Sequence, residues 1–321
     1  KLKELTSTQI GALTTTQLGV LSTAQVAAMT ATQIKGLTKT EIAALATTQI
    51  AALTTTHLGA LSAAQIGSLT STGVAALTPA QLAELSTVQI AAISPRGITG
   101  LTETGLDALT TRQLAAFTPT QIGELTPAQL ETLDATQLRA LTARQVGGLT
   151  SDQVGMLTTG QLASMTTTQI ASFSETGVKG LTATQLAALS SSQFAALTAT
   201  ELEFLTTTQI GQLSTTQIAA MTGTQLRGLT STGIGALTSS QLDVLTTTQL
   251  AALATDEIGG LTSEQVGALS MDQLAALTAT QIAALSTTAI TGLTATELEA
   301  LSLRQLTAMT STQIGALTTT Q

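Results

Sequence analysis

The sequence predicts an all-α fold: a tight α-solenoid of about 40 short capped helices, with one helix in each eight-residue repeat. Three observations predict it. The whole chain repeats with a period of eight, two positions of each repeat are apolar, and the polar residues between them form a helix-capping pattern. We letter the octad a to h, with a at Leu5, b at Thr6, e at Gln9, f at Ile10 and h at Ala12.

The apolar positions predict a helix with one buried face. All 40 a positions, Leu5 to Leu317, are Leu, Met, Ile or Phe, and all 40 f positions, Leu2 to Ile314, are Leu, Ile, Val or Phe. At about 100° per residue counted from c, positions a and f lie at about 240° and 300°, whereas g and d lie at about 40° and 100°. None of the 30 charged residues is at a or f. Each octad therefore has a core face and an exposed face.

The polar positions predict where each helix begins. Ser or Thr fills 37 of the 40 b positions, and Gln or Glu fills 33 of the 41 e positions, so b to e read as the capping box S/T-x-x-Q/E. With b as the N-cap, c is N1, where proline is favoured. Asp134 at b is also a strong cap. We predict a helix of about two turns, from c to a, in every octad. All four prolines are at c: Pro79, Pro95, Pro119 and Pro127.

Two other architectures fit the pattern less well. Along one unbroken helix the apolar stripe would drift by about 80° per octad, so the helix must break at each b. A parallel β-solenoid predicts period-two alternation and Asn or Gly turns. Here the apolar spacing is five and then three, Asn is absent, and the prolines would remove hydrogen bonds from a central strand. The α-solenoid is favoured over this β alternative.

Helices this short must stack on each other to be stable. Burial of the a and f side chains supplies the driving force, and the small residues that dominate h allow backbones to approach closely. The simplest arrangement folds consecutive octads back on each other, which predicts two octads per superhelical turn.

Composition excludes several classes of function. Charged residues are 9% of the chain, Cys, Trp and Tyr are absent, and the net charge is −8. Without Cys there is no disulfide framework, cysteine-ligated zinc site or thiol catalysis. The negative charge disfavours nucleic acid, which is bound through clustered Lys and Arg. Polar residues interrupt every few positions, so we expect no membrane span.

The candidate chemical residues favour a structural interpretation. His57, the single histidine, is at e and has no acidic partner at helical spacing, so we interpret it as a tolerated substitution. Asp256, Glu264 and Asp272 share position d, but calcium needs six to eight oxygens in a defined loop, so we interpret them as solvated charges. We expect no catalytic, cofactor-binding or metal-ligating residue, no cofactor and no enzymatic activity.

Glycine and phenylalanine also have structural interpretations. Glycine at e cannot complete a capping box, which predicts a weakened cap. The phenylalanines at a or f are core residues. The glycines at e are Gly73, Gly97, Gly105, Gly177 and Gly233, and the phenylalanines at a or f are Phe117, Phe173 and Phe194.

Octads such as LTTTQLGV (Leu13–Val20) and LSTAQVAA (Leu21–Ala28) resemble Thr/Gln-rich repeat tracts of large secreted or surface-exposed bacterial proteins of the adhesin-like kind. The resemblance extends over the whole chain and is one of composition. It implies an extracellular, non-enzymatic role at a cell surface. LTPAQLAEL (Leu77–Leu85) is similar to the opening helix of TAL-effector repeats, but the 34-residue period and basic surface of that family are missing here, so we reject DNA binding.

From these features we expect a single continuous array over residues 1–321 that is part of a longer repetitive chain or a filament. The expected function is structural: a stiff extracellular filament, matrix fibre or surface spacer. The alternative is a repeat-protein binding module, an adhesin that grips a protein or glycan partner. We expect self-association into fibres, end to end or lateral, and a glycan or cell-surface partner remains open.

Overall fold

The computed structural model describes residues 2–321 and confirms the all-α α-solenoid prediction. A short 3₁₀ helix at Leu2–Glu4 precedes 39 α-helices, and the described residues contain no β-strand. The helices fall into two compact units, Lys1–Met165 and Thr166–Gln321. A single continuous array over the whole chain stays a prediction.

The first unit contains twenty short helices with the same octad alignment. They are α1 Ser7–Ile10, α2 Thr15–Gly19, α3 Thr23–Ala27, α4 Ala31–Lys35, α5 Lys39–Ala44, α6 Thr47–Ala51, α7 Thr55–Ala60, α8 Ala63–Ile66, α9 Ser71–Ala75, α10 Pro79–Glu84, α11 Thr87–Ala92, α12 Pro95–Ile98, α13 Glu103–Asp107, α14 Thr111–Leu114, α15 Pro119–Gly123, α16 Pro127–Thr132, α17 Ala135–Ala140, α18 Ala143–Val146, α19 Ser151–Met156 and α20 Thr159–Ser164.

The second unit continues the alignment with nineteen helices. They are α21 Thr167–Ile170, α22 Glu175–Gly180, α23 Ala183–Ala188, α24 Ser191–Ala195, α25 Ala199–Glu203, α26 Thr207–Gly211, α27 Thr215–Ala220, α28 Gly223–Leu226, α29 Ser231–Gly235, α30 Ser239–Asp243, α31 Thr247–Ala251, α32 Thr255–Ile258, α33 Ser263–Gly267, α34 Met271–Ala276, α35 Ala279–Ala284, α36 Thr287–Ile290, α37 Ala295–Ala300, α38 Leu303–Ala308 and α39 Ser311–Ala316.

Each helix begins where the capping pattern predicts. Thr110 at b, for example, has extended backbone angles, and its hydroxyl accepts a hydrogen bond from the N–H of Gln113. Asp134 caps α17 in the same way, with its carboxylate accepting from the N–H of Gln137 at 2.7 Å. The four prolines lie in the first turn of their helices, as predicted. Ala46 gives α6 no side-chain cap.

The helices are shorter than predicted. They contain four to six residues and end before position a, so the prediction of two turns from c to a was wrong. Leu45, at a, has φ −60° and ψ 134°, and its N–H donates to the carbonyl of Ile42 three residues earlier. Position a must leave the helix because the chain has to turn before the next cap at b.

The number of octads per superhelical turn also differs from the prediction. Helices contact the helix three positions away along the chain, as α1 contacts α4, α8 contacts α11, and α35 contacts α38. Side-chain bonds between successive turns join residues 28 to 31 apart. One turn therefore uses between three and four octads, not two, because helices little longer than one turn cannot reverse the chain direction twice within sixteen residues.

The apolar face forms the core of each unit, as predicted. Every a and f side chain from Ile34 to Leu301 is buried, Phe117, Phe173 and Phe194 among them. The described helices are all too short to cross a membrane.

Candidate functional site

Position e is the repeated polar site of this fold, and it has a second role that the capping pattern did not predict. Gln113 is 4% exposed, and most glutamines at e are similarly buried. Two signals were present in the sequence. Position e lies at about 200° from c, only about 40° from a on the core side. Gln outnumbers Glu by 29 to 4 at e, although either residue completes a capping box.

Gln113 shows what the amide does there. Its Oε1 accepts from the N–H and the hydroxyl of Thr110, both at 2.9 Å, which closes the capping box of α14. Its Nε2 donates to the carbonyls of Leu82 at 2.9 Å and Leu85 at 2.8 Å, at the end of α10 one superhelical turn earlier. We call this bonding of Nε2 to backbone carbonyls of the previous turn the amide clasp. It joins the start of one helix to the end of another because an amide has both an acceptor and two donors.

The amide clasp recurs in both units with nearly the same register. The acceptors are carbonyls 28 to 31 residues earlier, chiefly those of positions a and f. It is made by Gln33, Gln49, Gln65, Gln81, Gln89, Gln121, Gln129, Gln145, Gln153 and Gln161 in the first unit and by Gln209, Gln217, Gln225, Gln241, Gln249, Gln265, Gln273, Gln281, Gln305, Gln313 and Gln321 in the second.

His57 makes an imidazole version of the clasp. Its Nδ1 accepts from the N–H of Thr54 at 3.2 Å, and its Nε2 lies 2.8 Å from the carbonyl of Met29, 28 residues earlier. These partners assign the proton to Nε2, which then donates to Met29. The ring is buried. His57 is therefore a substitution that keeps the function of the glutamine it replaces.

Two of the glutamates at e complete the capping box but make no clasp. In Glu41 and Glu201, Oε2 accepts from the N–H of the capping threonine, but Oε1 is buried without a hydrogen-bond partner. Burial raises the pKa of the Glu201 carboxyl, and hydrogen bonds from the backbone N–H and hydroxyl of Thr198 oppose that rise only in part.

Glycine at e keeps the other half of the capping box. The N–H of Gly73 still donates to the hydroxyl of Thr70 at 3.1 Å, but no side chain returns to the cap or reaches the previous turn. The space is filled by an apolar side chain, since a Cβ on Gly105 would lie 2.8 Å from Cδ1 of Leu82. The predicted weakening of these caps corresponds to this loss of one of the two bonds.

Glycine at h brings backbones of successive turns together. A Cβ on Gly100 would overlap the carbonyl of Ser71, 29 residues earlier, and Gly36 has the same relation to Ser7. All described glycines have negative φ, so these positions need space and not a left-handed backbone. Small residues at h therefore allow the close approach that the sequence predicted.

Charged residues are dispersed over the surface. Asp256, Glu264 and Asp272 are exposed, and residues 2–321 contain no group of three His, Asp or Glu side chains placed to hold a metal ion. Within that range the one ion pair joins Lys179 to Glu175 on the surface of α22. The expectation that no residue is catalytic or binds a cofactor stays a prediction.

Shallow grooves recur between helices of successive turns. In three of them one wall comes from the end of an octad and the next cap, and the other wall comes from the first turn of a helix three positions along the chain. One groove is lined by Ser86, Thr87, Thr110 and Arg112, and a second by Thr70, Ser71, Ser94 and Arg96. Their polar walls consist mainly of hydroxyl groups.

Comparison with known families identifies the repeat. The model of the ALTTAQ repeat matches residues 2–39, 42–79, 122–159, 218–255, 241–271 and 250–287, which together make up more than half of the chain. The chain belongs to the ALTTAQ repeat family. No curated protein matches it in sequence. The six letters ALTTAQ cover positions h, a, b, c, d and e. The Leu is position a, and the Gln is position e, which closes the capping box and makes the amide clasp as Gln113 does.

Proposed function

We propose that this ALTTAQ array is a structural protein that forms a stiff extracellular filament, matrix fibre or surface spacer. The observation that carries the proposal is the amide clasp. Nε2 donates to carbonyls about one turn earlier in the chain, as Gln113 does to Leu82 and Leu85. The same relation recurs within both units, so each turn has donors on one edge and acceptors on the other.

Such a turn is complementary to a copy of itself. Gln9, Gln17 and Gln25 complete the capping boxes of α1, α2 and α3 and are exposed. An amide in this position can bond to carbonyls that belong to a turn of the same chain or of another chain. End-to-end association through these three amides would repeat the contact made between turns inside each unit, and it needs no second type of interface.

The experiment compares the wild-type chain with the triple variant Gln9→Glu, Gln17→Glu and Gln25→Glu in sedimentation velocity and electron microscopy over a range of concentrations at neutral pH. Glutamate keeps the capping box, as Glu41 does, but removes the amide donor. We expect the wild type to elongate into fibres and the variant to stay shorter.

The matched control adds three carboxylates to exposed d positions of the same helices, through Thr8→Glu, Thr16→Glu and Ala24→Glu. It should associate like the wild type. A wild-type chain that remains a 32.4 kDa monomer at all concentrations would defeat the filament proposal. Equal loss in both triple variants would assign the effect to charge and not to the clasp.

We propose an extracellular or cell-surface location on a bacterium, because the octads resemble the Thr/Gln-rich tracts of adhesin-like surface proteins. Under this proposal the principal partner of the chain is another copy of itself. The net charge of −8 disfavours nucleic acid as a partner. Immunogold labelling of intact cells tests the location. Label confined to the cell interior would contradict it.

The hydroxyl-lined grooves favour one alternative, a module that binds a surface glycan. Arg96 and Arg112 each lie in such a groove beside serine and threonine hydroxyls, which are suitable partners for sugar hydroxyls and acidic substituents. Binding to an acidic glycan panel should then fall in Arg96→Ala and Arg112→Ala. A chain that binds no glycan on the panel would contradict this alternative and leave the structural proposal as the remaining one.

A further inference from the structure

Glu201 occupies a place where the fold requires a hydrogen-bond donor. Its Oε2 accepts from the N–H of Thr198 at 2.7 Å and from the hydroxyl of Thr198 at 2.8 Å, as the Oε1 of a clasp glutamine does. Its Oε1 then takes the position of the glutamine Nε2. The side chain is 5% exposed, and Oε1 is buried with no hydrogen-bond partner.

The register of the amide clasp identifies what faces Oε1. Carbonyls 28 and 31 residues before Glu201 are those of Phe173 and Ile170, at the end of α21. In Gln209, at e of the next octad, the bonds from Nε2 to the corresponding carbonyls of Leu181 and Val178 measure 2.6 and 3.1 Å. A carboxylate in that geometry would place a negatively charged oxygen against two carbonyl oxygens, with no donor between them.

A proton on Oε1 would supply the donor that the register of the amide clasp requires at this place. Clasp distances near 2.6–3.1 Å are hydrogen-bond lengths. Protonation on Oε1 converts the carboxyl into one donor and one acceptor, and so gives it the hydrogen-bonding pattern of the glutamine amide.

We propose that Glu201 is an acid clasp. In the folded chain its carboxyl keeps a proton on Oε1, and this O–H donates a hydrogen bond to the carbonyls at the end of α21. Acid therefore stabilises this turn and base destabilises it. On deprotonation the O–H proton passes to water, and the remaining carboxylate loses its bond to the previous turn. The turn containing α25 then becomes a local point of weakness in the array. Burial of the carboxyl, which raises its pKa, acts in the same direction.

No neighbouring charge offers Glu201 an alternative partner. The charged residues around α25 are Glu203 on the same helix, Glu175 and Lys179 on α22, and Arg227 after α28, while α21, α24 and α26 contain none. Lys179 is paired with Glu175 at 2.7 Å and lies 5.5 Å from the ring centre of Phe204. Glu203 and Arg227 are exposed. The ionised form of Glu201 is therefore uncompensated.

The sign of the pH effect follows from the raised pKa. Below the usual carboxyl pKa near 4.5, Glu201 is protonated in the folded and the unfolded chain alike, and the acid clasp makes its full contribution to stability. Between that value and the folded pKa only the folded chain holds the proton, so each pH unit lowers the folding constant of this turn about tenfold. Stability is thus lost as pH rises and levels off above the folded pKa.

The experiment measures urea denaturation of the full chain between pH 4 and pH 9 for the wild type, Glu201→Gln and Glu203→Gln. Glu203→Gln is the matched control, because it removes one carboxyl from an exposed position of the same helix. Infrared spectra in deuterated buffer, recorded over the same pH range, report the protonated carboxyl directly. Glu201→Gln installs the residue found at 29 other e positions, so the variant is expected to fold.

We expect the wild type and Glu203→Gln to lose stability relative to Glu201→Gln as the pH rises above about 4.5, and all three to be similar below it. The protonated-carboxyl band should persist to higher pH in the wild type and in Glu203→Gln than in Glu201→Gln. Parallel stability profiles for the wild type and Glu201→Gln would overturn the proposal. So would identical infrared bands in those two proteins.

Discussion

Replacing Gln113 by alanine tests the energetic weight of the amide clasp. The change removes the acceptor for the N–H of Thr110 and the donor to the carbonyls of Leu82 and Leu85. The Leu82 carbonyl keeps a backbone bond from the N–H of Leu85 at 3.1 Å. Two groups therefore lose a principal partner, the N–H of Thr110 and the carbonyl of Leu85. At about 1–3 kcal/mol for the buried carbonyl of Leu85 and about 0.5–1 kcal/mol for the N–H of the exposed Thr110, we expect a loss of about 1.5–4 kcal/mol.

Gln17→Ala is the matched control. Gln17 closes the capping box of α2 in the same way, with Oε1 accepting from the N–H of Thr14 at 2.9 Å, but its side chain is exposed. Water replaces the lost bond there, so the cost should be about 0.5–1 kcal/mol. Urea denaturation followed by far-UV circular dichroism measures both losses, and hydrogen exchange around residues 110–117 localises the first. If Gln113→Ala costs no more than Gln17→Ala, the clasp does not hold turns together.

Three further predictions concern the backbone, the caps and the metal-free fold. Gly100→Ala should destabilise the array by about 1–3 kcal/mol, because the new Cβ would overlap the backbone of the previous turn. Gly59 has open space around it, so Gly59→Ala should stabilise α7 by about 0.5–1 kcal/mol. Urea denaturation measures both changes. Thr30→Ala should cost about 0.5–2 kcal/mol as a lost N-cap, and Thr32→Ala on the exposed side of the same helix should cost much less; equal costs would show that b is not the cap. The far-UV circular dichroism spectrum should be helical and unchanged by EDTA, and a collapse on chelation would reveal a structural metal.

The local features of the fold could be predicted because they depend on residues within one octad. The N-cap at b and the N3 residue at e are three positions apart, and their contact needs no information from the rest of the chain. The same holds for proline at N1 and for the burial of a and f, which follow from the helical period. The alignment of every helix in the structure agrees with that frame.

The features that depend on the previous turn could not be read from one octad. The number of octads per turn is set by the angle between short helices and by how closely h allows their backbones to approach, as at Gly36 and Ser7. The helix was predicted one residue or more too long because periodicity places a on the core face without showing that its backbone is extended. His57 was interpreted as merely tolerated because its acceptor, the carbonyl of Met29, lies 28 residues away.

The register of the amide clasp has a consequence for how such a gene changes length. A glutamine at e finds carbonyls of a and f whichever octads precede it, so recombination that deletes or duplicates a whole octad restores every bond. An insertion of one residue instead misaligns the clasps that span it, about four of them, because each reaches back 28 to 31 residues. Beyond that distance the array is again in step. The number of octads can therefore change without loss of clasps. Insertions that are not a multiple of eight residues disrupt the clasps near the insertion and leave the rest of the array intact.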